Sequence, residues 1–304
     1  MSHGFRFEMS GDYQLVQLSN GAKTLFSASY GEKMHPGLGP QAEAELLYVR
    51  QLNLCERLQK STGEFVVWDV GLGGAANALT ALRALREIPG ELRLISFDNT
   101  AEPLEFAAAN SGQLKYPAGY ETQLAELLQT GRVAFLNGRL KVEWQFVLAD
   151  FPGWLAAHVK SDTISENRLR LPAPDAIFYD AFSPAKNPAM WTLPVFRKLF
   201  AALEPAKPCA LTTYSRSTLI RSTLLLAGFY VGAGHATGMK EETTIAANKS
   251  ELIAEPLGMR WLERAMRSDS AEPLPEAACV RKPLSPDTAR ALENHRQFAG
   301  KPAI

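Results

Sequence analysis

The sequence has few cysteines, no net charge and no long apolar run, and each absence excludes a class of protein. The 304 residues include three widely spaced cysteines, Cys55, Cys209 and Cys279. This spacing predicts a reduced, cytoplasmic protein without disulfides, and neither the cysteines nor the histidines suggest a metal site. No run reaches the roughly 20 apolar residues of a membrane span, so we expect no membrane association. The 32 basic and 32 acidic residues balance, which excludes a global basic field for nucleic acid.

The middle of the chain alternates between short apolar runs and stretches of helical periodicity. Five of the apolar runs are predicted strands: Phe65–Val70, Leu92–Asp98, Trp144–Leu148, Asp175–Asp180 and Cys209–Thr213. Such alternation is typical of an α/β protein with a doubly wound, mostly parallel sheet. Residues 229–231 and 243–247 are expected to add an antiparallel pair at its end.

The two ends of the chain differ from this central part. Residues Tyr13–Phe26 alternate around Asn20-Gly21, which predicts a β-hairpin. Residues Gln41–Leu58 have the periodicity of a helix. We therefore expect an N-terminal β-hairpin and helix over residues 1–60, a core over 61–255 and a C-terminal tail over 256–304. The last part, 271–304, is rich in proline and charge and is expected to pack loosely.

A glycine-rich turn and three acids suggest a nucleotide-type cofactor site. Open α/β sheets bind ligands at the carboxyl ends of their strands. Gly71, Gly73 and Gly74 follow the first of the core strands, while Asp98 and Asp150 follow the next two. Asp98 is suited to ribose hydroxyls and Asp150 to the adenine edge.

The details of the turn favour S-adenosylmethionine over a dinucleotide. Ala76 stands where the dinucleotide motif G-x-G-x-x-G requires its third glycine. Asp69, two residues before the first glycine, would repel a pyrophosphate but suit the ammonium of a methionine moiety. The alternative is that the glycines only form a tight turn.

The segment after the fourth predicted core strand carries residues suited to an acceptor. Asp180 offers a carboxylate that could take a proton from an amine nucleophile. Phe182 and Trp191 offer apolar faces on which a base could stack, and Lys186 could contact a phosphate. A proline-rich loop that merely caps the sheet is the alternative interpretation.

The same segment is the strongest of four similarities to a known family. Residues Asp180–Trp191 (DAFSPAKNPAMW) resemble the D-G-F-[AS]-P-x-K-N-P-x-[ML]-W motif of the MnmC-like methyltransferase domain. Tyr30–Pro36 is similar to the family's G-E-x-Y-H-S element, and Gly71–Asn77 to its glycine loop. Gly238–Thr244 resembles its late G-x-[KR]-[KR]-E-M element. The resemblance covers about Gly11 to Asn248 and includes no flavin oxidase half, so the stand-alone form is expected.

This resemblance implies a class I, Rossmann-like methyltransferase that uses S-adenosyl-L-methionine. It implies tRNA as the partner, with methylation of the aminomethyl group of a modified wobble uridine of the 5-aminomethyl-2-thiouridine type, and a possible separate oxidase that supplies this group. Asp180 would be the catalytic carboxylate. The cofactor would be held by the glycine loop and the acids and covered by two residues ahead of the core: Gly71, Gly73, Asn77, Asp98, Asp150, Glu32 and Met34. The acceptor would be contacted by Phe182, Lys186, Trp191 and Lys240.

Departures from the family pattern leave other functions open. Ala75 and Ala181 replace family glycines, and Glu241 stands where a basic residue is usual. Because phosphate contacts need Lys or Arg, RNA binding would depend on a local patch built from Arg216, Arg221, Lys240 and Lys249. A small-molecule amine methyltransferase and a non-catalytic adapter with the same fold are the alternatives. His35 is either a proton acceptor or a structural histidine.

Overall fold

The computed structural model describes residues 11–158, 171–237 and 241–299 and contains a small and a large β-sheet. The small sheet is antiparallel and consists of β1 (Tyr13–Gln17), β2 (Lys23–Ser27) and β3 (Glu32–Lys33). The first two strands are the predicted hairpin. The large sheet consists of β4 (Phe65–Val70), β5 (Gly90–Asp98), β6 (Arg132–Asn137), β7 (Leu140–Leu148), β8 (Ala176–Tyr179), β9 (Ala210–Thr213), β10 (Tyr230–Gly234) and β11 (Thr243–Ala247).

The large sheet has the order β10-β11-β9-β8-β4-β5-β7-β6. Its five central strands, from β9 to β7, are parallel, and both edges are antiparallel. All five predicted core strands and the predicted antiparallel pair are present. The expectation of a mostly parallel α/β sheet is confirmed.

Helices cover both faces of this sheet, which makes it doubly wound. Within β4, Phe65 and Val67 face one apolar core, while Val66, Trp68 and Val70 face the other, because successive side chains of a strand point to opposite faces. The helices are α1 (Pro40–Ala44), a π-helix (Glu45–Arg50), α2 (Leu54–Lys60), α3 (Ala76–Leu85), α4 (Glu102–Ala109), α5 (Ser111–Leu114), α6 (Glu121–Thr130), α7 (Phe151–His158), α8 (Leu193–Ala201), α9 (Thr218–Ala227), α10 (Met259–Met266) and α11 (Pro286–Glu293). Within the described ranges, none is long and apolar enough to cross a membrane.

The single helix predicted over Gln41–Leu58 is wrong. The π-helix interrupts α1, and Asn53 then adopts a left-handed conformation with φ 53° before α2 begins. A π-turn adds a residue to the helical repeat and so rotates the side chains that follow it. The apolar periodicity was therefore real, but it did not belong to one regular helix.

The β6–β7 hairpin was missed, although the sequence contains a signal for it. Asn137-Gly138 lies between two alternating segments, and Gly138 has φ 64°. A Cβ atom at Gly138 would lie 2.4 Å from the Arg86 carbonyl oxygen. The turn thus depends on glycine twice, for its dihedral angle and for its packing.

The C-terminal segment is more firmly attached than its composition suggested. Ala271, Leu274, Leu292 and Phe298 are buried. The last three join the core on the face of the sheet that α8 and α9 cover. The loose packing predicted for 271–304 is therefore wrong at these four anchor points.

The strand order places the predicted site residues together. The chain turns to opposite sides of β4 when it forms β5 and β8, so a crevice opens at their carboxyl ends. Val70 pairs with Phe97 on one side and with Tyr179 on the other. Gly71, Asp98 and Asp180, which follow these residues, consequently emerge at the same edge of the sheet.

Candidate active site

A cavity of about 540 Å³ lies at this edge of the sheet. Its walls come from the ends of the central strands, from residues 30–37 around β3 (the β3 region) and from the π-helix. Nine of the twelve predicted site residues line it: Glu32, Met34, Gly71, Gly73, Asn77, Asp98, Asp150, Asp180 and Phe182. The volume is within the range of cofactor-sized pockets.

Gly71 is required at the floor of the cavity for two physical reasons. Its φ of 93° is a conformation that side-chain-bearing residues resist. A Cβ atom there would also lie 2.8 Å from the Asp180 carbonyl oxygen and 3.0 Å from its carbonyl carbon. The Asp180 N–H donates to the Val70 carbonyl at 2.9 Å. The glycine loop and the Asp180 backbone therefore pack directly against each other.

Asp98 is anchored by the backbone of the glycine loop. Its carboxylate accepts from the Gly73 N–H at 2.9 Å and from the Asn99 N–H at 2.8 Å. Burial raises the pKa of Asp98, and these backbone donors counteract part of that rise. The hydrogen bond to Gly73 fixes the position of the glycine loop relative to the Asp98 carboxylate.

Asp150 combines a place in the cavity with a capping role. Its Oδ2 accepts from the Gly153 N–H at 2.9 Å, and its carbonyl accepts from the Trp154 N–H at 2.8 Å. These bonds satisfy donors at the start of α7. They hold Asp150 in place at the end of β7, on the far side of Asp98 from the glycine loop.

Asp180 is held by one amide and approached by one imidazole. The Asn77 side-chain amide donates to its Oδ2 at 2.7 Å. The His35 Nε2 lies 3.9 Å from the same oxygen, and the side chains of His35 and Asp180 are 13% and 17% exposed. Asn77 was predicted as a cofactor residue, and its side chain is in fact bonded to the predicted catalytic acid.

The β3 region is bonded to the Asp180 loop across the mouth of the cavity. The Ser183 hydroxyl donates to Glu32 Oε1, and the Ser183 N–H donates to Oε2 at 3.2 Å. The rings of Tyr30 and Phe182 stack with centroids 4.1 Å apart. These contacts close the cavity over the carboxyl ends of the strands. One face of Phe182 is covered by Tyr30.

The charge of the cavity is strongly acidic. Among the residues that the structure describes, Lys33 is the only lysine or arginine in the lining, against five carboxylates: Glu32, Glu43, Asp98, Asp150 and Asp180. An excess of negative charge raises the local concentration of cations and repels anions. The lining therefore suits a sulfonium and an amine and disfavours a pyrophosphate.

Asp69 does not belong to this acidic lining, although the sequence suggested that it would lie near the ammonium of the cofactor. It is fully buried, it does not line the cavity, and its Oδ2 accepts from the Ser96 hydroxyl at 2.9 Å. Burial raises the pKa of Asp69 to about 7, and the Asp180 and Asp98 charges add to the rise. The acid before the glycine loop is thus an internal group, and it cannot contact a bound ligand directly.

Two predicted acceptor residues, Trp191 and Lys186, lie outside the cavity lining. Trp191 is fully buried, and its indole N–H donates to the Phe182 carbonyl at 2.7 Å. The expectation that a base stacks on Trp191 is wrong, because the indole is used inside the core to hold the loop. Lys186 is exposed beside Gly31, outside the cavity lining. Lys240 lies outside the described residues.

The local basic patch is smaller than predicted. Arg221 is 2% exposed and binds Glu242, Thr243 and Thr244 inside the protein. Burial lowers the pKa of its guanidinium. Arg216 forms a 3.5 Å ion pair with Glu241. Two exposed lysines lie at or beside the cavity: Lys33 is in its lining, and Lys186 is next to the lining residue Gly31.

Part of the chain matches a protein-family model, and most of it is similar to curated proteins. The family described as "S-adenosyl-L-methionine-dependent methyltransferase" matches residues 158–249. The MnmC protein of Aeromonas hydrophila, named a bifunctional protein of tRNA 5-methylaminomethyl-2-thiouridine biosynthesis, is 26% identical over 81% of this chain. A protein of the same name from Cupriavidus necator is 28% identical over 79% of the chain. The chain spans 37% and 36% of these two relatives.

Solved structures show the same fold. The crystal structure of MnmC2 from Aquifex aeolicus superposes with a TM-score of 0.67 at 25% identity and covers 94% of this chain and 85% of its own. A spermidine synthase in complex with a transition-state analogue has a TM-score of 0.50 at 12% identity, over 95% of this chain and 87% of its own, and shares the fold alone. The chain is therefore an S-adenosyl-L-methionine-dependent methyltransferase whose sequence and fold are similar to those of MnmC proteins.

Proposed function

We propose that this enzyme methylates the aminomethyl group of a modified wobble uridine in tRNA, with Asp180 as the carboxylate that receives the amine. The observation that carries the proposal is the position of Asp180. Asp180 lines an acidic cavity, its backbone packs against Gly71, and its carboxylate lies 3.9 Å from His35 Nε2. The curated relatives are named for biosynthesis of a methylaminomethyl uridine in tRNA, which supports this acceptor.

The residues present fit S-adenosyl-L-methionine. Gly71 and Gly73 leave room where a Cβ would meet the Asp180 backbone or the Met34 sulfur. We propose that these glycines and Asp98 hold the cofactor, with Asp150 at the adenine and with Glu32 and Met34 as the cover. When bound, the cofactor supplies a methyl group that its sulfonium already activates.

The protein's own task is then to prepare the amine. An aliphatic amine has a pKa near ~10 and enters the site protonated. Asp180 attracts this ammonium and orients one of its N–H bonds, while Asn77 keeps the carboxylate in place. We propose that His35, 3.9 Å from Asp180 Oδ2, takes the proton that the amine must lose before it attacks. Alignment and exclusion of water supply the remainder of the rate enhancement.

Docking of tRNA would depend on few contacts. Lys33 lines the cavity and Lys186 lies beside the lining residue Gly31, and we propose that both meet phosphates next to the wobble nucleotide. Because the chain has no net charge, we propose that most recognition comes from the base in the cavity. The curated relatives are named as bifunctional proteins. We propose that an oxidase activity supplies the aminomethyl group that this chain methylates.

The test is a methylation assay on defined tRNA. Purified enzyme and S-adenosyl-L-methionine are incubated with tRNA that carries the aminomethyl wobble uridine and, as a control, with the same transcript unmodified. Nucleoside mass spectrometry should show one added methyl group in the first tRNA only. Asp180→Asn should abolish the product and leave cofactor affinity, measured by calorimetry, unchanged.

The acidic lining favours a second candidate, a small-molecule amine methyltransferase. The two candidates are separated by a parallel assay with free aliphatic amines. Turnover of free amines with inert tRNA would refute the tRNA proposal. Failure to bind either S-adenosyl-L-methionine or its demethylated product would leave only the adapter with this fold.

A further inference from the structure

One buried hydroxyl in the cavity makes no hydrogen bond of normal geometry to the rest of the described fold. Tyr48 lies on the π-helix, lines the cavity and is 1% exposed. Within the described ranges its hydroxyl oxygen makes no hydrogen bond of normal length and angle, and the near acceptor for its O–H is the Asp180 carboxylate. Burying a hydroxyl without a well-formed hydrogen bond costs free energy, so this group lowers stability where it stands.

The surroundings of this hydroxyl point to a ligand. The Asp180 carboxylate is near enough to raise the pKa of Tyr48 further, after burial as the main cause. The ring itself is fixed, since it packs against Phe178 with centroids 4.8 Å apart. Tyr48 lies within the π-helix, and short π-helical segments are often found at functional sites. A fixed ring with an unused oxygen beside the acceptor carboxylate is typical of a binding group.

We infer that the Tyr48 hydroxyl binds the acceptor amine and orients it for methyl transfer. This inference rests on the proposed function, in which Asp180 receives the amine. A primary amine has two N–H bonds and one lone pair. Asp180 accepts one N–H, the Tyr48 oxygen accepts the other, and the lone pair is left directed at the methyl group.

The covalent step then balances without a change in Tyr48. The nitrogen lone pair forms the N–C bond, the C–S bond breaks, and its electron pair remains on sulfur as a neutral thioether. The product leaves as a secondary ammonium. Tyr48 keeps its own proton, and the Asp180–His35 pair handles the proton lost from the entering ammonium. The same arrangement selects amines with two N–H bonds over secondary amines.

The experiment compares Tyr48→Phe with the wild-type enzyme and with Tyr120→Phe. Tyr120 is a matched control because its hydroxyl donates to Asn137 at 3.1 Å and its side chain does not line the cavity. Tyr48→Phe should keep or raise Tm, since it removes a buried polar group without a well-formed hydrogen bond, and should keep S-adenosyl-L-methionine affinity. Its kcat/KM for the aminomethyl tRNA should fall by about 10-fold, the cost of one buried hydrogen bond between neutral groups. Tyr120→Phe should lose Tm and keep kcat/KM.

Other outcomes overturn the inference in distinguishable ways. If Tyr48→Phe keeps its kcat/KM while Asp180→Asn is inactive, the proposed function stands and the inference is wrong. If Tyr48→Phe loses Tm and cofactor affinity together with activity, the hydroxyl is structural and the inference is wrong. If the wild-type enzyme methylates neither tRNA nor a free amine, the proposed function fails and the inference fails with it.

Discussion

Replacement of Gly71 by alanine tests the contact between the glycine loop and the Asp180 backbone. The φ of 93° is left-handed, and a side-chain-bearing residue there costs about 1–2 kcal/mol. The new Cβ would lie 2.8 Å from the Asp180 carbonyl oxygen. Relief of such overpacking costs about 1–3 kcal/mol. The sum is roughly 2–5 kcal/mol, a large share of the ~5–15 kcal/mol that stabilises a typical domain.

The consequences should appear both in stability and in activity. For a chain of this size Tm changes by ~2 °C per kcal/mol, so Gly71→Ala should lower Tm by roughly 4–10 °C in calorimetry. The atom that must move belongs to Asp180, and a displacement of about 1 Å in a catalytic group can reduce the rate ~10²-fold. We therefore expect kcat to fall by about 10²-fold even at temperatures where the variant is folded.

The control is Gly112→Ala. Gly112 lies in α5, and a Cβ there would have no other atom within 4 Å. Alanine is favoured over glycine in a helix by about 0.5–1 kcal/mol, so this variant should keep or slightly raise Tm and keep its activity. A Gly71→Ala variant as stable and as active as Gly112→Ala would refute the packing of the glycine loop on Asp180 described above.

Three further predictions concern charge. Burial raises the pKa of Asp69 to about 7, above the ~3.9 of an unfolded chain. The folded protein therefore binds the proton more tightly, and the wild type should lose up to about 4 kcal/mol of stability as pH rises from about 4 to 7. Urea unfolding of Asp69→Asn should show a flatter pH dependence, and parallel curves would contradict the assignment. His35→Gln should lower kcat by ~10²-fold without a change in cofactor affinity; an unchanged kcat in single-turnover assays would exclude His35 as the proton acceptor. Lys33→Glu and Lys186→Glu should each weaken tRNA binding and reduce the salt slope of the affinity by about one, and salt titrations that match the wild type would place tRNA on another surface.

The sequence predicted most of the large sheet because its signals are local. An apolar run such as Phe65–Val70 can be recognised from its own residues. Once the strands are recognised, the acids directly after them can be assigned to the strand ends. The antiparallel strand β6 was missed although Asn137-Gly138 marks its turn. The helical stretch at Gln41–Leu58 was misjudged because a π-helix leaves the apolar periodicity largely intact while it changes which side chains face inward.

The candidate site was predicted well where it depends on strand ends and poorly where it depends on side-chain direction. Trp191 and Asp69 have the residue types expected of a site, but both are buried in the core. Arg221 is likewise an internal residue with its own partners. Residue type and spacing do not show on which side of the backbone a side chain finds its partners.

By itself the sequence determined the α/β alternation, the glycine turn and the acids at positions 98 and 180, because each is a property of a short segment. Only the tertiary structure decided that Asn77 and His35 meet Asp180 and that Tyr48 faces the same cavity. These contacts join residues from the β3 region, the π-helix, α3 and β8. Their distances depend on how the sheet and its covering helices pack, which no local pattern encodes.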